Sequence, residues 1–333
     1  MIRPFIDAHV HLNTPSIEKM ITAVEQGAYF LSINTDIPFF IPLDHQRENI
    51  LRLSNIYPDR VKFITSFSLD DWGRPEWPDR AINQIRIGME AGAVGVKFWK
   101  NIGMELKDIN GQFVMLDHPS FDPIFEYIET NNILVLGHLG EPKNCWLPLH
   151  EMTVESDRNY FQLHPQYHMY LHPEYPSYQE QLVARDNRLS KHPHLKFIGL
   201  HLASLEWSVS EVARWLDTYP LAKVDLAERI CHLQYQAQQN RDTVRTFLID
   251  YQDRVIYGTD IIDDGHYAPD AVAEKFKILW EFHWQFFAGK EVMQAPEFSG
   301  KFIGLDLPEA VLSKIFYKNA ATAYGFDPTC AQL

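Results

Sequence analysis

The feature that most constrains the fold of this chain is a regular alternation of short apolar runs with segments of helical periodicity. Eight runs of strand length alternate with predicted helices, and no linker-like stretch separates them. This order is typical of parallel β-α units in one sheet. The predicted strands are 5–11, 29–33, 61–67, 93–98, 133–136, 196–200, 222–226 and 254–258. Eight units in 333 residues favour an α/β fold of the (β/α)8 TIM-barrel type, formed by a single domain over residues 1–333, with a doubly wound open sheet as the alternative.

One segment interrupts the alternation. Residues 141–177, a long loop between predicted strands five and six, are rich in proline, histidine and aromatic residues. A loop of this length inside a compact domain is usually functional. We expect it to form a lid or wall over a site, and the alternative is a surface excursion that packs on itself. Residues 288–306 are also predicted to be irregular.

Composition and charge narrow the class of protein. A formal net charge of −14 disfavours a nucleic-acid partner, which would need a basic face. Cys145, Cys231 and Cys330 are widely spaced and form neither a zinc motif nor a disulfide framework, which fits a reducing compartment. We see no signal-peptide pattern and no apolar run long enough to cross a bilayer. We therefore expect a cytoplasmic protein with a small-molecule substrate and no membrane partner, and the sequence leaves a homo-oligomer open.

Polar side chains stand at the ends of the predicted strands. In a barrel of this type the chemistry lies at the carboxyl ends of the strands. Strand one ends in His9 and His11, which share a face because they are two residues apart, and Asp7 is predicted on that same face. The other strand-end residues are Lys97, His138, His201 and Asp260. Each alone could cap a helix or bond to backbone. Together they supply imidazoles and a carboxylate, the usual ligands of a divalent ion of borderline softness.

The stretches around these residues resemble the amidohydrolase superfamily, and more closely its second large family, which includes decarboxylases and lactonases. The similar stretches are residues 5–11, 95–101, 136–142, 194–202 and 253–260, together with a closing helix at 315–320. The resemblance extends over nearly the whole chain. It is specific to the superfamily and does not identify a substrate.

The resemblance implies a metal site. His9, His11, His138 and Asp260 would hold a divalent metal, most often zinc, and His201 would contact the substrate or the water at the metal. In two-metal relatives a lysine at the position of Lys97 is carboxylated and bridges the ions, whereas in one-metal relatives it is absent or binds substrate. We favour one tightly held ion and leave a weaker second ion open.

The predicted activity is hydrolysis of a small carbonyl compound, a lactone, amide or ester, by a metal-activated water. Asp260 would take the proton from that water, and His201 would polarise the carbonyl or stabilise the oxyanion. A metal-dependent non-oxidative decarboxylase on the same scaffold is the alternative, and the residues do not separate the two. A hydrolase that has lost its metal and a non-catalytic binding protein are further alternatives.

Basic residues near the predicted site suggest an anionic substrate. Arg229 directly follows strand seven, where a guanidinium is placed to bind a carboxylate in bidentate fashion. Arg185 and Lys100 are further candidates for this role, and Trp99 is a candidate for stacking on a ring.

Overall fold

The computed structural model describes residues 4–327, so the prediction for Cys330 lies outside the described residues. The strands are β1 Phe5–Leu12, β2 Ala28–Ile33, β3 Val61–Ile64, β4 Val96–Phe98, β5 Val135–Gly137, β6 Phe197–Gly199, β7 Lys223–Asp225, β8 Val255–Ile256, β9 Ile261–Asp263, β10 Val292–Met293 and β11 Phe302–Ile303. All eight predicted strands are present. The additional strands are β9, which continues the eighth, and the β10–β11 hairpin inside residues 288–306.

Helices connect the strands much as the periodicity predicts. They are α1 Glu18–Gln26, α2 Leu43–Ile56, α3 Trp77–Glu90, α4 Asn101–Met104, α5 Asp122–Thr130, α6 Glu155–Leu163, α7 Tyr178–Lys191, α8 Leu200–Ala203, α9 Val209–Thr218, α10 Ile230–Asp250, α11 Pro269–Ala288, α12 Glu309–Ser313 and α13 Asn319–Tyr324. A capping box of Ser177 and Glu180 begins α7, which accounts for its sharp start. No helix within residues 4–327 is long and apolar enough to cross a membrane.

The eight parallel strands close into the predicted (β/α)8 barrel. Strand pairing gives two sheets, with the orders β3-β2-β1-β9 and β4-β5-β6-β7-β8. At one edge Thr65 N donates to Gly95 O at 3.0 Å, which joins β3 to β4. At the other edge Ala8 N donates to Tyr257 O at 3.1 Å and Asp260 N donates to His9 O at 2.8 Å. These bonds join both edges of the two sheets, so the strands form one ring.

Two apolar clusters hold the ring in place. Inside the barrel, buried aliphatic side chains from the strands meet Tyr317 and Tyr324 of the C-terminal helical region. Outside it, the opposite faces of the strands pack on the helices, as in the contact of Phe5 with Trp280 of α11. Burial on both faces explains why the strands are near-continuous apolar runs, since parallel sheets are covered on both sides.

A bulge in β1 overturns one prediction. Simple alternation puts Asp7 on the face of His9, but the pairing register of β1 with β2 shifts between Asp7 and Val10. Asp7 points outward and accepts a 2.8 Å hydrogen bond from Trp280 Nε1, while Ala8 faces the barrel interior. The predicted shared face of Asp7 and His9 is therefore wrong, and Asp7 instead accepts a hydrogen bond from the backbone N of Thr259 at 2.9 Å. The extra residue turns His9 and His11 toward the barrel axis, which is a common use of a bulge beside a site.

Residues 141–177 are folded rather than irregular. They contain α6 and the 3-10 turns Lys143–Trp146, Leu149–Glu151, Pro165–Tyr167 and Met169–Leu171. Cys145, Met152, Phe161 and Met169 form an apolar cluster of their own with Met104. The segment thus packs on itself, as one of the two sequence-based alternatives proposed, and its Asp157, Tyr160 and Phe161 also line a cavity beside the strand ends.

Candidate metal centre

Three strand-end side chains converge at the carboxyl end of the barrel. His9 Nε2 lies 3.1 Å and His11 Nε2 lies 3.3 Å from Asp260 Oδ1. Both imidazoles are buried, and neither His9 Nε2 nor Asp260 Oδ1 has a hydrogen-bond partner among residues 4–327. Buried polar atoms normally have a partner. Two imidazole nitrogens and a carboxylate oxygen directed at one point are a donor set that fits a divalent cation.

Asp225, at the end of β7, fixes the orientation of this group. Its carboxylate accepts from His9 Nδ1 at 2.6 Å and from the backbone N of His201 at 2.5 Å. Because a carboxylate only accepts, His9 carries a proton on Nδ1, and Nε2 is the ring atom that faces Asp260. Asp225 also lies in a group of three with His9 and His201, but its oxygens already accept these bonds, so we interpret it as an orienting residue. Sequence reasoning missed Asp225, although it ends an apolar strand as the predicted site residues do.

The pKa values in the group reflect burial and close charges. Burial lowers the pKa of His9, but Asp260 and Asp225 outweigh it and raise that pKa to about 9. Burial, with the Lys97 charge, lowers the pKa of His11 to about 4. Burial raises the pKa of Asp260, but His9, His11 and His201 hold it well below its usual value. Protonated on both nitrogens, His9 thus places a positive charge between Asp225 and Asp260, and Nε2 must lose its proton before it can bind a metal ion.

His201 stands on a strained turn after β6. Its Nδ1 donates to Ala227 O at 2.9 Å, and its Nε2 lies 3.9 Å from Asp260 Oδ2. The four consecutive residues from His201 to Ser204 have φ between 56° and 58°, the left-handed region. This conformation costs about 1–2 kcal/mol for each non-glycine residue. Strain of this kind tends to collect at functional sites.

His138 and Lys97 lie at the edge of the group. The ring of His138 is 4.2 Å from the ring of His201, centroid to centroid, and His138 is outside the group whose ligand atoms meet within 4.8 Å. Lys97 is buried beside His11 and Asp260, and burial lowers its pKa to about 8 against the opposing charges of Asp260 and Asp225.

A cavity of about 410 Å³ opens above the group. Its lining includes His11, Lys97, Trp99, Lys100, His138, Arg229 and Asp260 from the barrel, and Asp157, Tyr160 and Phe161 from residues 141–177. We call residues 141–177 the wall segment. The structure therefore brings Trp99, Lys100 and Arg229 to one cavity with the strand-end residues.

The basic side chains of the cavity differ in their partners. Lys100 forms an ion pair with Glu141. Arg229 is 6% exposed, and its Nη1 is 3.4 Å from Glu228 Oε2 and 3.9 Å from Asp157 Oδ1. Arg229 Nε is buried and has no hydrogen-bond partner among the described residues. Both charges thus face carboxylates, and what distinguishes Arg229 is the unused donor at Nε.

Arg185 is placed elsewhere. It is buried behind the His201 turn, where it donates to Ala203 O and lies over the ring of Trp215 at 4.8 Å. It is absent from the cavity lining. The guanidinium of Arg185 thus faces the protein interior and not the cavity, which contradicts the prediction that it binds the substrate.

Sequence reasoning also missed the acidic residues of the cavity. Glu141, Asp157 and Glu228 all line it. Glu228 adopts a left-handed φ of 56°, and Asp157 pairs with His232 at 3.2 Å. Glu228 follows strand seven closely, so the expectation that site residues stand at the carboxyl ends of the strands could have identified it. Asp157 lies inside the wall segment, where no periodic pattern marks it.

Comparison with known proteins agrees with this architecture. The Amidohydrolase family profile matches residues 72–326. The fold is similar to 2,6-dihydroxybenzoate decarboxylase from Rhizobium, with 16% identity, a TM-score of 0.51, and coverage of 97% of this chain and 99% of that one.

Two other solved structures are similar at the level of the fold. One is a dihydroxybenzoic acid decarboxylase from Polaromonas with bound manganese, with 13% identity, a TM-score of 0.51, and 97% of each chain covered. The other is a Pseudomonas putida protein described as a candidate 2-pyrone-4,6-dicarboxylic acid hydrolase, with 12% identity, a TM-score of 0.52, and coverage of 98% of this chain and 99% of that one. No curated protein matches the chain. The profile match covers well over half of the sequence and confirms the resemblance: the chain belongs to the Amidohydrolase family.

Proposed function

We propose that this protein is a metal-dependent hydrolase of a small, anionic carbonyl compound. The observation that carries the proposal is the convergence of His9 Nε2, His11 Nε2 and Asp260 Oδ1, two of which are buried atoms that lack a hydrogen-bond partner within residues 4–327. Unused ligand atoms of this kind at one point fit a cation better than they fit a structural polar cluster.

The proposed metal ligands are His9, His11 and Asp260, with His138 as the fourth. Imidazole nitrogens with one carboxylate suit zinc, which we propose as the metal, and one ion accounts for the donors that converge. A bound ion of this type lowers the pKa of water and polarises a carbonyl oxygen. Lys97 stays a proposed neighbour of the ion, and its depressed pKa, about 8, leaves a fraction of the amine neutral near that pH.

Two side chains are placed to move the proton. Asp260 has a second oxygen, Oδ2, which we propose accepts the proton of the attacking water. His201 donates from Nδ1 to Ala227 O, so its neutral form offers a lone pair at Nε2. Burial holds the pKa of His201 well below its usual value against the opposing charge of Asp260, and the charges of His9 and Arg229 lower it further, which favours this neutral form. We propose that Nε2, 3.9 Å from Asp260 Oδ2, receives the water proton from Asp260 and donates it to the leaving oxygen or nitrogen as the bond to the carbonyl carbon breaks.

Arg229 and the aromatic lining define the proposed substrate class. The buried Nε of Arg229 needs an acceptor, and a substrate carboxylate is a fitting one. Trp99, Tyr160 and Phe161 offer flat apolar surface around the same cavity. A planar carbonyl compound with one carboxylate matches both features.

A metal-dependent decarboxylase on the same site is the second candidate. Two of the similar folds are decarboxylases of dihydroxybenzoic acids, and the aromatic side chains and Arg229 of the cavity also suit an aromatic acid. The two reactions would use the same metal ligands and Arg229, and they differ in whether water or a proton is added to the substrate.

One experiment tests both candidates. Purified protein is analysed for bound metals and is then assayed, with and without added zinc or manganese, on a panel of lactones, amides, esters and aromatic acids. Release of acid without carbon dioxide supports hydrolysis, and release of carbon dioxide supports decarboxylation. Protein that binds neither metal, even when zinc is supplied in excess at pH 8, would refute both candidates.

A further inference from the structure

We propose that Arg185 and Tyr178, both on α7, are positioning residues that hold His201 in the site. The inference rests on the proposed function in one respect, the participation of His201 in the reaction. Arg185, which the sequence suggested as a substrate ligand, thus has a proposed role outside the cavity. Neither side chain lines the cavity.

The two side chains act on the strained turn from one helix face. Arg185 Nη1 donates to Ala203 O, and Tyr178 Oη donates to Ser204 O. Seven residues separate Tyr178 from Arg185, which is about two helical turns, so both project from the same face of α7. Their acceptors are consecutive carbonyl groups of the left-handed turn that begins at His201.

Each donor is itself held in place. The guanidinium of Arg185 is 3% exposed, lies over Trp215, and bonds through Nε to Asp186 Oδ1 at 2.8 Å. The hydroxyl of Tyr178 accepts from Trp207 Nε1 at 2.9 Å, which leaves its own proton for Ser204 O. A fixed donor holds a carbonyl in one orientation better than a mobile one does.

The turn is tied to the barrel on its other side. Asp225 accepts from the backbone N of His201, and Ser204 Oγ donates to Leu139 O at 3.0 Å, next to His138. Arg185 and Tyr178 close the opposite side of the turn. A left-handed run of non-glycine residues persists only where its surroundings over-determine it. Loss of the α7 contacts should therefore let the turn relax and carry His201 Nε2 away from Asp260.

Arg188 provides a matched control on the same helix. It is also buried and lies over an aromatic ring, that of Phe125 at 4.6 Å. It also donates to backbone carbonyls, but these are Leu116 O and His118 O, in a different loop. Arg185→Met and Arg188→Met thus remove equivalent groups from one helix, and only the first removes a contact with the His201 turn.

The test compares hydrogen–deuterium exchange and kinetics of the two variants in the full-length protein. Arg185→Met should raise deuterium uptake at least threefold in peptides that cover residues 199–206. Arg188→Met should raise uptake around residues 115–120 and leave 199–206 at the wild-type level. Wild-type uptake over 199–206 in Arg185→Met, or an equal rise in both variants, would overturn the proposal.

The kinetic arm separates positioning from substrate binding. Arg185→Met should lower kcat tenfold or more at unchanged KM and metal content, Arg185→Lys should recover part of that loss, and Tyr178→Phe should lower kcat less. A rise in KM without a fall in kcat contradicts the positioning role. A wild-type protein with no turnover on the panel counts against the proposed function, while the exchange measurement still decides whether α7 holds the turn.

Discussion

Two regions of the molecule border the same cavity but are held in different ways: the proposed metal ligands at the strand ends, and the wall segment. His9, His11 and Asp260 are fixed by strand pairing and by the closure bond from Asp260 N to His9 O. The wall segment has its own apolar cluster, which includes Met104 of α4, and it meets the rest of the chain through ring contacts, such as that of Tyr175 with Phe113 at 4.5 Å, and through polar contacts. Among these are the pair of Asp157 with His232 at 3.2 Å and the bond from Ser156 N to Glu297 Oε2 at 2.8 Å.

This difference suggests that the strand ends hold the metal and the wall segment determines substrate affinity. Strand ends in a closed ring move little, which suits groups that must hold an ion within tenths of an ångström. A separately packed segment can change its lining residues without disturbing the ring. Substitutions at the strand ends should therefore affect metal content and turnover, and substitutions in the wall segment should affect substrate affinity. Four measurements examine this division.

The largest effect is expected at Asp260. Asp260→Asn removes the negative charge and the proposed proton acceptor, so kcat should fall by about a thousandfold or more, within the range of general-base loss. Thermal unfolding should still show a cooperative transition. Asp264→Asn, whose side chain faces the exposed His266, is the control and should keep wild-type turnover. Wild-type turnover by Asp260→Asn would exclude Asp260 from the mechanism and contradict the claim that the strand-end residues control turnover.

Metal affinity should rise with pH. In the metal-free protein the His9 pKa is about 9 and the His11 pKa is about 4, so between pH 6 and 8 only the His9 proton must leave for both imidazoles to bind. Each binding event then releases about one proton, and the dissociation constant should fall about tenfold per pH unit. Titration with zinc at pH 6, 7 and 8, using a competing chelator, measures this slope. A dissociation constant that is flat across the range would contradict the His9 assignment.

Arg229 lies where the two regions meet, because it follows β7 and faces Asp157 of the wall segment. Arg229→Met should raise KM for an anionic substrate by about 10- to 100-fold, the effect of losing a charged hydrogen bond of about 1.5–3 kcal/mol. The metal content should stay at the wild-type value. Arg241→Met, on the helix α10 that begins directly after Arg229 but bonded to Gly304 O and Leu305 O, should leave KM unchanged. An unaltered KM in Arg229→Met would rule out the carboxylate contact.

The smallest effect is expected in the wall segment. Tyr160 lines the cavity, whereas Tyr170 lies in the same segment, is 52% exposed and is absent from the lining. Tyr160→Leu should raise KM about three- to tenfold, since an aromatic contact contributes about 0.5–1.5 kcal/mol. Tyr170→Leu should change neither KM nor kcat. A large loss of metal in Tyr160→Leu would show that the wall segment also supports the metal site, which contradicts the proposed separation of the two regions.

Much of the fold could be predicted because its signals are local. Apolar runs bounded by helix-forming segments identified all eight barrel strands. The sequence also predicted that His9, His11 and Asp260 lie close together, since the carboxyl ends of parallel strands in a barrel meet at one edge.

The errors arose where pairing between distant segments overrode local pattern. Alternation along β1 cannot reveal the bulge after Asp7, because a bulge is defined by the partner strand. The guanidinium of Arg185 resembled a surface group on a helix, and only the packing of α7 on the His201 turn shows that it faces inward. Asp157 and the turns of the wall segment carried no periodic signal at all.

The sequence by itself determined which chemical groups stand at the strand ends and the order in which the strands present them. The tertiary structure decided which nitrogen of His9 is free, because that depends on Asp225, 216 residues away along the chain. It also decided that His201 is held in a left-handed turn and that Arg229 keeps a donor for a ligand. Lone-pair direction and hydrogen-bond satisfaction are properties of neighbours in space, and neighbours in space are fixed only when the ring closes.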